Sequence, residues 1–167
     1  MYKLSFIQHS DLTEGILNEV IRIKSISWPY SYADQVKWMS DNLKDSDIHV
    51  LLSLDNTFVG YLNLIQIEMI INNKPINGLG VGNVCTTIRG NGWGTELILL
   101  TNNYFRKYRK TGLLFCRDRL LNFYGLCHWK KINNSLLRVS FNNAGIVTMY
   151  FNHPGTVRLL EFTGKIF

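Results

Sequence analysis

The sequence predicts an α+β fold, a central mixed and mostly antiparallel twisted sheet flanked by helices, and three observations carry that prediction. Two stretches of helical periodicity come before any long strand. Three extended apolar runs then follow one another across Asn- and Asp-containing breaks of hairpin length. Behind them a glycine-rich loop leads into a long helix with a basic end.

Taken in order, residues 3–7 read as a short opening strand. Asp11 followed by Glu14 resembles a helix-start capping box, and Leu12, Ile16, Val20 and Ile23 recur at helical spacing behind it. Trp28-Pro29 ends that helix, because the residue before a proline is pushed out of helical conformation. Ser31 then caps a second helix whose buried stripe is expected to be Tyr32, Val36, Met39 and Leu43. From His49 the pattern turns extended, over residues 49–54, 58–71 and 76–87, joined by Asp55-Asn56 and Asn72-Asn73-Lys74. Asn and Asp tolerate the positive φ of tight hairpin turns, so these runs form an antiparallel meander. Residues 95–110 return to helical spacing, with Leu97, Thr101, Tyr104, Phe105 and Tyr108 on one side. Arg106, Lys107, Arg109 and Lys110 near the end complement the helix's negative pole. A short buried strand at 113–116, a helix over 118–128 and tail strands at 137–139, 147–151 and 157–162 complete the reading. No repeat or low-complexity linker divides the chain, so residues 1–167 are expected to form a single domain.

The chain has 167 residues, 46% hydrophobic and 18% charged, which suits a globular domain and excludes a disordered or fibrous one. No apolar run approaches the roughly 20 residues of a membrane-spanning helix. The first ten residues turn polar by Gln8 with no cleavage-site pattern, so a cytoplasmic protein without a membrane partner is expected. Eighteen Lys and Arg against twelve Asp and Glu give a net charge of +6, which calls for an anionic partner: nucleic acid, acidic lipid or a phosphorylated cofactor. Cys85, Cys116 and Cys127 are too few for a disulfide scaffold and lack metal-ligand spacing. They read as reduced, buried thiols, and no metal is expected. Cys127 beside His128 is no nucleophile–base pair, since helix neighbours point about 100° apart.

Arg89, Gly90, Asn91, Gly92, Trp93 and Gly94 stand where strand gives way to helix. A helix N-terminus offers unpaired N–H groups and partial positive charge, and glycines let the backbone approach an anion closely. The alternative reading is three glycines that merely turn the chain. A dinucleotide fingerprint needs G-x-G-x-x-G in a parallel unit, whereas here the spacing is G-x-G-x-G behind hairpins. A triphosphate-binding loop needs Lys-Ser or Lys-Thr after the glycines, and neither follows.

Arg89, Gly92 and Gly94 match the R-x-x-G-x-G signature of the GNAT superfamily of N-acetyltransferases, and Gly82-Asn83-Val84-Cys85-Thr86 resembles the strand that precedes it there. Leu113-Leu114-Phe115-Cys116 and Phe123-Tyr124-Gly125-Leu126-Cys127-His128-Trp129 resemble that family's next strand and helix. The stretch from Gly112 to Trp129 looks most like the aminoglycoside 2′-N-acetyltransferase branch.

The resemblance implies a GNAT fold that binds acetyl-CoA as co-substrate and transfers its acetyl group to a primary amine by direct attack in a ternary complex. By similarity, the backbone of Arg89, Gly90, Asn91, Gly92, Trp93, Gly94 and Thr95 holds the pyrophosphate. Val84, Cys85 and Thr86 pair with the pantetheine arm, Gly92 and Gly94 tolerate no bulk, and Arg106, Lys107, Arg117 and Arg119 steer phosphates. Tyr124 matches the family's general acid, a phenol able to protonate the departing thiolate. Relatives carry a basic carboxylate on the fourth strand, but residues 76–87 contain no Asp or Glu, and Gly80 and Gly82 occupy those positions. Glu68 on the adjacent strand is the nearest acidic candidate, with His49, His153 and the carboxylate of Phe167 behind it. Cys116 stands where the family has an Asn. The acceptor is expected to be a small-molecule amine, an aminoglycoside or another amino sugar among them, although few carboxylates face a polycation. Exposed edge strands leave room for a homodimer. The missing carboxylate motivates the second reading, a non-catalytic module that binds CoA or nucleic acid. Of these, nucleic acid is the less expected partner, because a polyphosphorylated cofactor already accounts for the basic residues.

Overall fold

A computed structural model describes residues 1–167, and the chain folds into two compact units, residues 1–65 with 83–101 and residues 66–82 with 102–167. The unit boundaries fall inside β3 (Thr57–Ile71), β4 (Lys74–Thr86) and α3 (Trp93–Lys107), so each of these elements contributes to both.

Unit 1 contains β1 (Tyr2–Gln8), α1 (Glu14–Ser27), α2 (Tyr32–Asn42) and β2 (Ile48–Leu54), with the first part of β3, the end of β4 and the start of α3. Its strands run in the order β1-β2-β3-β4. The β1–β2 pair is antiparallel over Tyr2↔Leu54 to Gln8↔Ile48. The turn from β2 to β3 places Asp55 and Asn56 at φ 48 and 65, the left-handed pair that a two-residue hairpin demands. Helix α1 starts two residues later than the capping-box reading has it. Asp11 lies in a short 3-10 turn, and Thr13 is the cap, its Oγ1 accepting from the Ile16 N–H at 3.4 Å. Ser31 caps α2 as expected, accepting from Asp34 N–H at 3.1 Å. In the stripe of α2, Tyr32 is exposed, while Gln35 is buried because its Nε2 donates to the Trp28 carbonyl at 2.7 Å across the Pro29 break. Val20, Ile21, Ile23, Met39, Leu43, Leu51, Tyr61 and Cys85 form the core of the unit.

Unit 2 holds the rest of β3, β4 and α3, then β5 (Gly112–Arg117), α4 (Leu121–Leu126), β6 (Lys130–Lys131), β7 (Leu137–Val139), β8 (Ile146–Phe151) and β9 (Leu160–Phe162). Its strands run β3-β4-β5-β8-β6, with β9 beside the end of β3 and β7 beside β9. Asn72 and Asn73, at φ 53 and 63, make the hairpin from β3 to β4. The β4–β5 ladder is parallel through Leu79↔Gly112 and Gly80↔Leu113, and β7–β9 is parallel too, so the sheet is mixed. The helix expected over 118–128 is shorter, a 3-10 turn at Asp118–Leu120 followed by α4. The last strand is also shorter than 157–162. Asn72 Oδ1 takes the N–H groups of Arg158 and Leu159 at 2.7 and 3.1 Å, which removes them from any ladder.

Candidate functional site

In unit 1 the strand β4 is the outermost of the four, and its last turn of chain is irregular. Asn83 sits at φ 53, a left-handed conformation that kinks the strand, and its Nδ2 donates to Oδ1 of the fully buried Asn63 at 3.3 Å. Val84, Cys85 and Thr86 follow. Cys85 turns inward to the core, while Val84 and Thr86, on the alternate face, stay half-buried. Thr87 N–H donates to the Val59 carbonyl at 2.9 Å and pins the strand before the loop begins.

The loop takes left-handed backbone at Gly90 (φ 85) and Gly92 (φ 77). A Cβ at either position would meet nothing within 4 Å, so the requirement at Gly92 is backbone sign and not crowding. Gly94 lies in the first turn of α3 with no positive φ, so the expectation that it excludes bulk has no counterpart in its backbone. The first intrahelical bond of α3 runs from Glu96 N–H to the Gly92 carbonyl at 3.1 Å. The N–H groups of Trp93, Gly94 and Thr95 therefore stand at a free helix end, next to an exposed loop of Arg89, Gly90, Asn91 and Gly92. Main-chain N–H groups are what this turn presents at the helix end.

Tyr124 belongs to unit 2, where α4 holds it 6% exposed and edge-on to Phe123 at 4.8 Å. Burial, with Cys116 and Cys127 adding to it, pushes its phenol well above the usual range, so it is protonated at neutral pH. Glu68 is exposed on β3 in the same unit. His153 is half-buried with an unpaired Nδ1, and burial lowers its pKa. All three cysteines are free and buried. Burial raises Cys85 to about 12 and Cys116 to about 11, which keeps both as unreactive thiols. No three His, Cys, Asp or Glu side chains converge into a metal-binding group.

Two groupings join side chains that the sequence does not place together. At Gly80 a Cβ would run into the ring of Phe167, which also packs on Phe115 and Phe162 at 5.1 and 5.9 Å. The tail thus returns to β4, and an aromatic ring fills the space that a side chain at Gly80 would need. The second grouping is a polar cluster in the core of unit 1. His9 Nδ1 lies 3.0 Å from His49 Nε2, and His49 Nδ1 lies 2.9 Å from the Tyr61 hydroxyl, with His49 and Tyr61 fully buried. Lys24 is 3% exposed, its ammonium 4.4 Å from the Trp38 ring centroid. Burial, the His9 ring and the Lys24 charge hold His49 down at about 4. A group so depressed is neutral at pH 7 but too weak a base for an ammonium, so the cluster orders the core.

The chain has the GNAT acyltransferase fold, a mixed sheet flanked by four helices. ElaA of Escherichia coli has a similar structure, with a TM-score of 0.63 and 18% identity over 90% of this chain and 99% of that one. The Escherichia coli GNAT family N-acetyltransferase YhbS, solved in complex with CoA, superposes with a TM-score of 0.65 and 12% identity over 98% of this chain and 89% of that one. The Escherichia coli ribosomal-protein-S18-alanine N-acetyltransferase follows at 0.59 and 13%, covering 90% of this chain and 91% of that one. The sequence matches no protein-family model and no curated protein.

Proposed function

We propose that the protein is an acetyl-CoA-dependent N-acetyltransferase acting on a primary amine. The observation that carries this reading is the left-handed Gly90–Gly92 loop opening α3 behind a strand kinked at Asn83, in a fold whose CoA-bound relatives include YhbS. Arg89, Gly90, Asn91, Gly92, Trp93, Gly94 and Thr95 would hold the pyrophosphate through backbone N–H groups. Val84, Cys85 and Thr86 would pair with the pantetheine arm along the outer edge of β4. The amine attacks the acetyl carbonyl, the C–S bond breaks, and the thiolate takes a proton from Tyr124. Glu68 is the carboxylate offered as the base. The acceptor proposed is a small amine, an amino sugar or aminoglycoside included, with a peptide N-terminus in the same chemical class.

Calorimetric titration tests the cofactor site. Acetyl-CoA should bind the wild type in the micromolar range, on the order of −8 kcal/mol. Gly92→Glu places a carboxylate and a strained backbone in the loop and should abolish that binding while the circular dichroism spectrum stays native. Absence of binding to the wild type would remove the transferase reading. Tyr124→Phe tests the acid, and the expected outcome is a 10²-fold or greater fall in kcat with the acetyl-CoA dissociation constant unchanged. An unchanged kcat would take Tyr124 out of that role.

A further inference from the structure

The net charge of the chain averages two opposite halves. Unit 2 holds twelve Lys and Arg against three Asp and Glu, a net of +9, whereas unit 1 holds six against nine, a net of −3. Between Glu96 and Glu161 the single acidic residue is Asp118. The ion pair of unit 2 is Arg138–Glu161 at 3.4 Å, which leaves its remaining cations without an acidic partner.

Contacts gather five of these cations at one end of the unit. Helix α3 closes on Arg106 and Lys107, and the chain passes Arg109 and Lys110 before entering β5. The Arg106 guanidinium lies 5.1 Å from the centroid of the Phe151 ring, which stacks on Trp129 at 5.5 Å. Trp129 is followed by Lys130, which pairs with Tyr150 of β8, and Tyr150 pairs in turn with Leu113 at the start of β5. Asn152 Nδ2 donates to the carbonyls of Phe105 and Lys110 at 3.0 and 2.9 Å and closes the same end. Arg106, Lys107, Arg109 and Lys130 are exposed there. So is Tyr108, at 50%, its ring 4.4 Å from that of Tyr104 and 5.3 Å from the Lys107 ammonium. On the edge strand β6, Lys131 lines, with Asn133 and Asn134, an open groove of about 400 Å³.

Folding does not require this arrangement. A cation at a helix C-terminus gains from the dipole only within the last turn, so the dipole cannot account for Lys130. Five unpaired like charges at one end repel one another. Cofactor phosphates do not explain them either. The fifteen residues of α3 span about 22 Å, and these cations stand at the opposite end of that helix from its free N–H groups. A lipid surface needs an apolar face to insert, and in the segments that build this end the one strongly exposed aliphatic side chain is Leu126, at 79%. Cations interleaved with an exposed phenol match a chain of phosphates that carries stackable bases.

We propose that this end of unit 2 binds single-stranded nucleic acid, with Arg106, Lys107, Arg109, Lys110 and Lys130 on the phosphates and Tyr108 stacking on a base. RNA and DNA present the same chemistry, and the experiment separates them. Fluorescence anisotropy is followed with labelled oligo-U and oligo-dT of about a dozen nucleotides over a range of KCl concentrations, a readout that needs no acetyl donor and stands apart from the transferase reading. Binding is expected in the micromolar range at 50 mM KCl. With three to five phosphate contacts, log K should fall against log salt with a slope of about −2 to −3.5. Arg106→Glu/Arg109→Glu/Lys130→Glu should lose 30-fold or more, and Tyr108→Ala roughly 5- to 150-fold. Lys107→Gln/Lys110→Gln, which disturbs no hydrogen bond of a folded side chain, should flatten the slope by about 1.4 and decides the matter if the charge-reversed protein fails to fold. Tighter binding of oligo-U assigns RNA, and equal binding assigns the backbone shared by both. The proposal is overturned by no binding at 50 mM KCl, by a slope near zero, by full binding of the charge-reversed variant, or by preferential binding to phosphatidylglycerol vesicles at matched phosphate.

Discussion

Lys24 shows how one residue sets the stability of its surroundings. Burial pulls its ammonium from 10.5 to about 8, with the neighbouring Cys85 sulfur opposing the shift, and a depression of that size corresponds to about 3 kcal/mol held against folding at neutral pH. The Trp38 ring returns about 0.5–2 kcal/mol of it. Between pH 8 and 10.5 the unfolded chain binds the proton that folded Lys24 has lost, so this group makes stability rise with pH in that window. Cys85 acts oppositely. Its folded value of about 12 stands above the 9.0 of an exposed thiol, so it makes stability fall as pH rises past about 9, and buried Tyr61 adds to that fall at higher pH. His49, held at about 4 against 6.5, supplies a second rising step between those values, with its contribution complete above pH 6.5. Lys24→Met should therefore stabilise the protein by about 1–2 kcal/mol at pH 7, and urea titrations of both proteins should show that advantage shrinking between pH 7 and 9. An advantage that stays constant across that range would mean that Lys24 keeps its proton in the folded state.

At the scale of elements, what was legible in the sequence is what local chemistry decides. Asp55-Asn56 and Asn72-Asn73 announce tight turns because their side chains tolerate positive φ, and all four adopt it. Ser31 announces the start of α2 because a hydroxyl three residues before Asp34 N–H satisfies a donor that nothing else reaches. The start of α1 falls later than the capping-box pattern puts it because Asp11 and Thr13 are both competent caps, and the choice between them falls to a 3-10 turn at His9–Asp11, whose His9 and Ser10 N–H groups donate to the Asp47 and Asp45 carbonyls. The glycine loop was legible as a motif, since Gly90 and Gly92 need the left-handed region whatever surrounds them. Features that depend on distant partners were not. Lys24, His9, His49, Tyr61 and Cys85 come from different parts of unit 1, and no spacing reveals that they meet. Phe167 packs against Gly80 from 87 residues away, and β6 is two lysines whose pairing is set by β8. The shortened β9 depends on a single side chain, Asn72, spending its acceptor on Arg158 and Leu159.

At the scale of the whole molecule, the charge of +6 is a sum over an uneven distribution. A sum over the chain hides that all nine excess positive charges lie in residues 102–167, where eleven Lys and Arg face only Asp118 and Glu161; chain order carries that asymmetry, and tertiary contacts bring Lys130 to the end of α3. The distribution has a consequence for stability that is separate from any ligand. Like charges at the end of α3 and on Lys130 repel one another, and salt screens that repulsion, the Debye length being roughly 10 Å at 0.1 M. Screening should therefore stabilise the fold, although the exposed pairs Arg22–Glu19 at 2.7 Å and Lys37–Asp41 at 2.8 Å lose a little by the same screening. Raising NaCl from 20 to 300 mM should lift the melting temperature of the free protein by about 2–4 °C, which corresponds to about 1 kcal/mol for a chain of this length. In Arg106→Glu/Arg109→Glu/Lys130→Glu the rise should disappear, because the excess charge of unit 2 drops from +9 to +3. A scanning-calorimetry series in which wild type and variant respond equally to salt would show that the cations of unit 2 are spaced too widely to repel.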